Sequence, residues 1–195
     1  YNSNGELGNN SYVGSNIPKS INNVKSYTKI ESGEQFTLAV RKDGTIWGWG
    51  NNTYGQLGQG DRNTYTVPTA INVTNVKKVA AGANHAVALN QYGEVYVWGN
   101  NTRGQLGDSI TAKSIDVPTK LDLKGETIVE VGAGKNSTVL VTEKGKVIIY
   151  GAEVPEVQNA VKAVAGEEII VLTKDGNVQK AGTTVQTIYS NQDAV

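Results

Sequence analysis

Apolar residues along this chain fall in short runs separated by glycine-bearing turns at nearly regular intervals. Phe36-Thr37-Leu38-Ala39-Val40 is one such run of β-formers with small partners, followed by a turn at Asp43-Gly44 and a second strand from Thr45 to Trp49. The pattern predicts a hairpin. Gly44, Gly93, Gly145 and Gly176 hold the same place in successive copies, where a tight hairpin needs positive φ at low cost. Leu38, Val87, Val139 and Val171 are aligned as equivalents in nearly continuous apolar runs, the pattern of strands covered on both faces, and should pack between neighbouring sheets. Segments 76–79 and 128–131 supply further strands. Val67-Pro68 and Val117-Pro118 suit an outer edge strand or loop, because proline gives no ladder hydrogen bond.

These elements repeat. GTIWGWGNNTYGQLG (44–58) returns as GEVYVWGNNTRGQLG (93–107), 49 residues on, and NSNGELG (2–8) ends 50 residues before Gly58. The upstream halves align too, as SGEQFTLAVRKDG, AGANHAVALNQYG, AGKNSTVLVTEKG and the one-residue-shorter AGEEIIVLTKDG. Units of about fifty residues with four short strands and recurrent glycine and aromatic signals predict an all-β fold, a β-propeller whose blades are four antiparallel strands. A solenoid or stacked sandwich is the alternative. The repeat units run over about 1–30, 31–79, 80–131, 132–164 and 165–182, with 183–195 a C-terminal strand or tail. Trp47, Trp49, Tyr96, Trp98 and Tyr150 recur at repeat positions, which assigns them to packing between blades.

An apolar strand, a K-D-G-type turn, a strand ending in W-G and then N-N-x-x-G-Q-L-G resembles the regulator of chromosome condensation repeat family, over about residues 2–182. The resemblance implies a propeller, usually of seven blades. It says less about activity: some relatives are nucleotide-exchange factors on chromatin, others bacterial secreted inhibitors of β-lactamase or surface-protein modules, with protein binding in common. Only about four repeats are present, and the last two depart from the pattern. After Gly151 the chain reads Ala152-Glu153-Val154-Pro155 with no N-N-x-x-G-Q-L-G loop, and Val178-Gln179-Lys180-Ala181 stands where Ile46-Trp47-Gly48-Trp49 stood. Gln179 and Lys180 mark that last copy as an exposed end, protected from edge pairing by charge. Three assemblies stay open: part of a longer ring, four blades closed through a composite blade that joins the two ends, or an eight-bladed ring from two chains.

Composition narrows the chemistry. Lys and Arg total 18 against 18 for Asp and Glu, so the basic footprint of a nucleic-acid binder is missing. No run reaches the length of a membrane-spanning helix, and the start carries neither a basic leader nor a hydrophobic signal region. With Cys 0 there are no disulfides or thiolate sites, and with Met 0 the chain reads as a mature product or, preferably, a piece of something longer. The single histidine, His85, takes a place filled by Phe36 or Ser137 in other copies and is read as a core-edge residue. No G-x-S-x-G elbow presents a nucleophile. Glu167 and Glu168 are read as adjacent on a strand, where successive side chains face opposite ways, and so as a solvated edge rather than an acid–base pair. The glycine strings lack a P-loop's Lys-Ser/Thr, and Asp61 and Asp108 lack the alternating ligands of a calcium loop. Sequons at Asn9, Asn51, Asn72, Asn100 and Asn136 are better explained by asparagines adopting the left-handed conformation and bonding their own backbone.

No catalytic, cofactor or metal set is therefore expected. The positions that vary on the loops, Tyr54, Arg62, Tyr65, Tyr92 and Arg103, are the candidate partner site, since Tyr and Arg are enriched at binding hot spots. The expected function is a non-enzymatic protein-interaction module of a bacterial secreted or cell-surface protein. A carbohydrate or cell-wall binding module is the alternative, ahead of a nucleotide-exchange factor or a hydrolase. Low charge, absent cysteine and abundant Asn, Thr and Gly motivate the extracellular location, and a homodimer is among the expected partners.

Overall fold

The computed structural model describes residues 1–21 and 26–190, and every regular element among them is a strand. The first blade is β1 (Tyr27–Ser32), β2 (Phe36–Arg41), β3 (Ile46–Gly50) and β4 (Tyr65–Ile71); the second is β5 (Val76–Ala81), β6 (His85–Asn90), β7 (Val95–Asn100) and β8 (Ser114–Lys120). A third sheet has β9 (Ile128–Ala133), β10 (Thr138–Thr142) and β11 (Val147–Tyr150), and the fourth has β12 (Ala160–Ala165), β13 (Ile169–Thr173), β14 (Val178–Ala181) and β15 (Val185–Tyr189). All pair antiparallel in chain order. The expected hairpin joins β2 to β3: Gly44 sits at φ 79°, its N–H donates to Arg41 O at 3.0 Å, and Arg41 N–H donates to Thr45 O at 2.9 Å. That is a type I turn closed by a left-handed residue.

Three apolar layers hold the blades together. Leu38, Val40 and Leu57 meet Val79, Ala88 and Trp98 between the first and second blades. Val87, Val97 and Leu106 meet Val131 and Leu140 in the next layer, and Val139 and Val141 meet Ala163, Val171 and Ala181 in the third. At about 1.5–3 kcal/mol for each fully buried aliphatic side chain, these layers dominate the favourable side of folding. Among the described residues no such layer joins the fourth blade to the first, so the chain forms an open arc.

Several expectations change here. The sequence units begin one strand after the blades do, so a full unit such as 31–79 carries the last three strands of one blade and the first strand of the next. The fourth blade is completed by its own tail, β15 pairing with β14 from Val178↔Tyr189 to Ala181↔Val185. The amino-terminal segment lies instead on the first blade, where Asn10 N–H donates to Thr66 O at 2.9 Å, so no composite blade joins the ends. The alignment of Val171 with Leu38 is one residue out of step. In register it is Ile170 that matches, through Val164↔Ile170 beside Glu31↔Leu38, because the shorter copy loses its residue in the loop after β12. A one-residue slip exchanges the faces of a strand, so Val171 packs backward on the third blade rather than forward. Trp47 lies under the Arg41 guanidinium, 3.7 Å from its ring, rather than between two blades.

Among the described residues the third blade has three strands and no fourth. The linkers 51–75 and 101–127 contain a loop and an outer strand, whereas β11 returns to β12 through the nine residues 151–159. Val154-Pro155 is therefore not a strand, and at the edge the Val157 carbonyl accepts from Val147 N–H at 3.0 Å.

Candidate functional site

The N-N-x-x-G-Q-L-G loops lie at the ends of β3 and β7, and most of their polar side chains are committed to building them. Buried Asn52 accepts from Leu57 N–H at 2.9 Å and donates to Asp61 O at 3.0 Å; Asn101 repeats this with Leu106 and Ile110, and Asn2 with Leu7 and Ser11. Gln56 Oε1 accepts from Tyr54 N–H, and Gln105 Oε1 from Arg103 N–H, at 2.8 and 2.9 Å. Asn51 and Asn100 accept from the amides two residues on, as Asx turns do. None of these loop asparagines has positive φ; the glycines supply it, which corrects the left-handed reading of the sequons.

Each loop clasps the aromatic side chain of the blade that follows. Trp98 Nε1–H donates to Gln56 O at 2.7 Å, and Trp49 Nε1–H to Glu6 O at 2.7 Å. Tyr150 takes the same place beside Gly107. Gly55, at φ 77°, presses on the next blade's outer strand: a Cβ there would lie 2.5 Å from Asp116 Cα. Its counterpart Gly104 has the same φ and nothing within 4 Å, because the third blade has no outer strand. Alanine at either position meets left-handed strain of about 1–2 kcal/mol. Gly55→Ala should destabilise by about 1–3 kcal/mol beyond Gly104→Ala, since only the former collides with backbone. Equal losses in urea denaturation would refute the packing difference.

The five residues singled out from the sequence do not form one cluster. Tyr54 and Arg103 are exposed on the tips of successive loops. Arg62 ties two blades, donating to Thr53 O at 3.2 Å and to Ser114 Oγ at 2.7 Å. Tyr65 donates its hydroxyl to Asp61 Oδ2 at 2.8 Å. The Asn63 backbone amide, helped by the Tyr65 hydroxyl and the Asn63 and Asn52 side chains, holds the Asp61 carboxyl below its ordinary range. Tyr92 is exposed on the turn before β7, about a strand length from the loop tips. His85 is fully buried, its Nε2 3.0 Å from Thr138 Oγ1 of the third blade; burial pulls its pKa down to about 4, against a smaller opposing hydrogen bond to the Ser137 backbone. Glu167 and Glu168 lie in the loop between β12 and β13 rather than on a strand, and Glu168 pairs with Lys180.

The channel along the inner strands was not foreseen. β1, β5, β9 and β12 adjoin one another around a space of about 460 Å³. A bulge near the start of each strand's pairing precedes Lys29, Lys78, Glu130 and Lys162, which form one row across it. Lys78 is paired with Glu130, and Lys29 Nζ donates to Lys77 O at 2.9 Å. The signal in the sequence is a charged residue four places before each of Gly33, Gly82, Gly134 and Gly166.

This architecture is that of the β-propellers. Two family models, both described as the regulator of chromosome condensation (RCC1) repeat, match residues 43–89 with 92–141 and residues 27–56 with 76–105. The chain belongs to the regulator of chromosome condensation repeat family. It is 43% identical over 58 residues to the human E3 ubiquitin-protein ligase HERC2, covering 29% of this chain and 1% of that protein. It is 36% identical over 75 residues to the Arabidopsis thaliana ultraviolet-B receptor UVR8, covering 37% of this chain and 17% of the receptor. Among solved structures, human WBSCR16 superposes with a TM-score of 0.87 at 17% identity, over 98% of this chain and 61% of that one. Saccharomyces cerevisiae Prp20p gives 0.74 at 18% identity, over 87% and 52%. The chain thus spans less than two thirds of the length of each of these relatives.

Proposed function

We propose that this chain is a non-enzymatic protein-interaction module of a bacterial secreted or cell-surface protein, binding its partner through the loop face. The carrying observation is the division of labour within each loop. Asn52, Gln56 and Leu57 are buried in the scaffold while Tyr54, and its counterpart Arg103 one blade on, project from it. A surface of fixed shape with variable tips suits recognition. Yeast Prp20p, which shares the fold, has been described with its binding to Gsp1p and histones, and in complex with Kap60. The near-balanced charge and absence of cysteine support an extracellular place, which antibody labelling of unpermeabilised cells would check.

Tyr54→Ala combined with Arg103→Ala should lower partner capture at least tenfold while leaving the thermal unfolding midpoint unchanged. Arg62 and Tyr65 are left intact in that variant because both hold the scaffold. Capture at the parental level would overturn the loop-face assignment, and capture of a glycan in place of a protein would favour a carbohydrate-binding module.

A further inference from the structure

In the first two blades an extended strand closes the outer edge, and in the third its place is open. Gly58 and Gly60 pack against Pro118 and Val117 of β8. The matching surface at Gly107 has Leu121 and Tyr150 as its nearest neighbours, and beside it a groove of about 580 Å³ runs between Asp108-Ser109, the 122–126 linker and β11. The return segment 151–159 does not fill it, since Val154 turns toward the layer between the third and fourth blades. Because Val147 N–H points outward to Val157, the alternation of an antiparallel strand turns the Ile149 amide and carbonyl outward as well, where no described strand meets them.

Charge distinguishes this groove from its filled counterparts. In the second blade the matching position, just before β7, is Glu94, and β8 brings Lys120 to it at 2.5 Å. In the third blade that position is Lys146, which is exposed and makes no ion pair among the described residues. We propose that the outer edge of β11 binds an extended peptide of a partner protein by strand addition, with Val-Pro seated on Gly107 and an acidic residue two places after the proline meeting Lys146. Main-chain hydrogen bonds to Ile149 supply affinity, and the Lys146 contact supplies selectivity. The proposal shares with the preceding reading only the idea of protein binding; it uses a different surface.

The test is a fluorescein-labelled peptide, Ser-Ile-Asp-Val-Pro-Thr-Glu, titrated into the full chain by anisotropy, with amide hydrogen exchange read at Ile149. Saturable binding and slowed exchange at Ile149 are expected. Lys146→Glu should weaken this peptide by about three- to fivefold and improve the version ending in Lys by a similar factor, the scale of an exposed ion pair. Ile149→Pro should abolish binding, since proline on an edge removes the outward donor without breaking the ladder to β10. If that variant fails to fold, the charge exchange alone decides. No saturable binding, or an order of preference that Lys146→Glu leaves unchanged, overturns the proposal. A concentration-dependent dimer that protects Ile149 and resists the peptide also overturns it, in favour of a second copy. Peptide binding retained in the Tyr54→Ala/Arg103→Ala variant separates this edge from the loop face.

Discussion

Replacing Trp98 with alanine will destabilise the chain by about 3–5 kcal/mol, the range for truncating a large buried aromatic. The side chain is fully buried between the first two blades, and its indole N–H satisfies Gln56 O at 2.7 Å. Truncation therefore opens a cavity and also leaves a buried carbonyl without its donor, a cost of about 1–3 kcal/mol on its own. Trp98→Phe keeps much of the volume and loses the donor, so its smaller loss isolates the hydrogen bond. Trp47→Ala is the control: that ring is half-buried under Arg41, outside the inter-blade layer. Urea denaturation of the three variants checks the order. A Trp98→Ala loss below about 1 kcal/mol would show that the loop clasp is not what fixes one blade on the next.

Acid will weaken the fold from about pH 6.5 downward. His85 has an ordinary pKa of 6.5 and a folded pKa of about 4, lowered by burial. The unfolded chain thus takes up a proton that the folded chain refuses. Stability from this group is complete above pH 6.5, falls as pH drops, and levels off once pH passes below about 4. A shift of this size amounts to about 3 kcal/mol across the window. His85→Phe, which copies Phe36 of the first blade, should flatten the decline between pH 6.5 and pH 4.5. Asp43, Asp61 and Asp175, whose pKa values are lowered mainly by hydrogen bonds, lose their contributions further down the scale. An unchanged slope in His85→Phe would assign the acid response to other groups.

The repeat, the hairpin turn and the all-β class were legible because each rests on local chemistry copied along the chain. Gly44 and its counterparts announce a turn whatever surrounds them. The alignment of the last copy failed because a deletion in a short loop and a deletion in a strand leave the same residue count; only the pairing Val164↔Ile170 separates them. The loop asparagines were assigned the right bonding partner and the wrong conformation, since an Asx turn and a left-handed residue draw on the same residue type. Of the candidate binding residues, Tyr54 and Arg103 were visible as variable loop positions, whereas the structural tasks of Arg62 and Tyr65 depend on Ser114 and Asp61, whose proximity no spacing reveals. The channel row of Lys29, Lys78, Glu130 and Lys162 stands in the sequence four places before each repeat glycine, whereas the space it lines depends on the inner strands adjoining, which no spacing reveals.

The clasp between loop and aromatic gives the blades a grammar. A complete blade carries an aromatic facing backward and a loop facing forward, so it can follow or precede another of its kind, as a coupler joins wagons. The third blade keeps the backward half, Tyr150, and has lost the forward loop; the fourth has Ala181 where the aromatic would stand. The two losses match. A tryptophan at 181 would find no carbonyl waiting, and a loop after Gly151 would close on nothing. Shuffling by duplication is thereby restricted: further coupled units can enter ahead of the third blade, while only a blade of the fourth type can follow it.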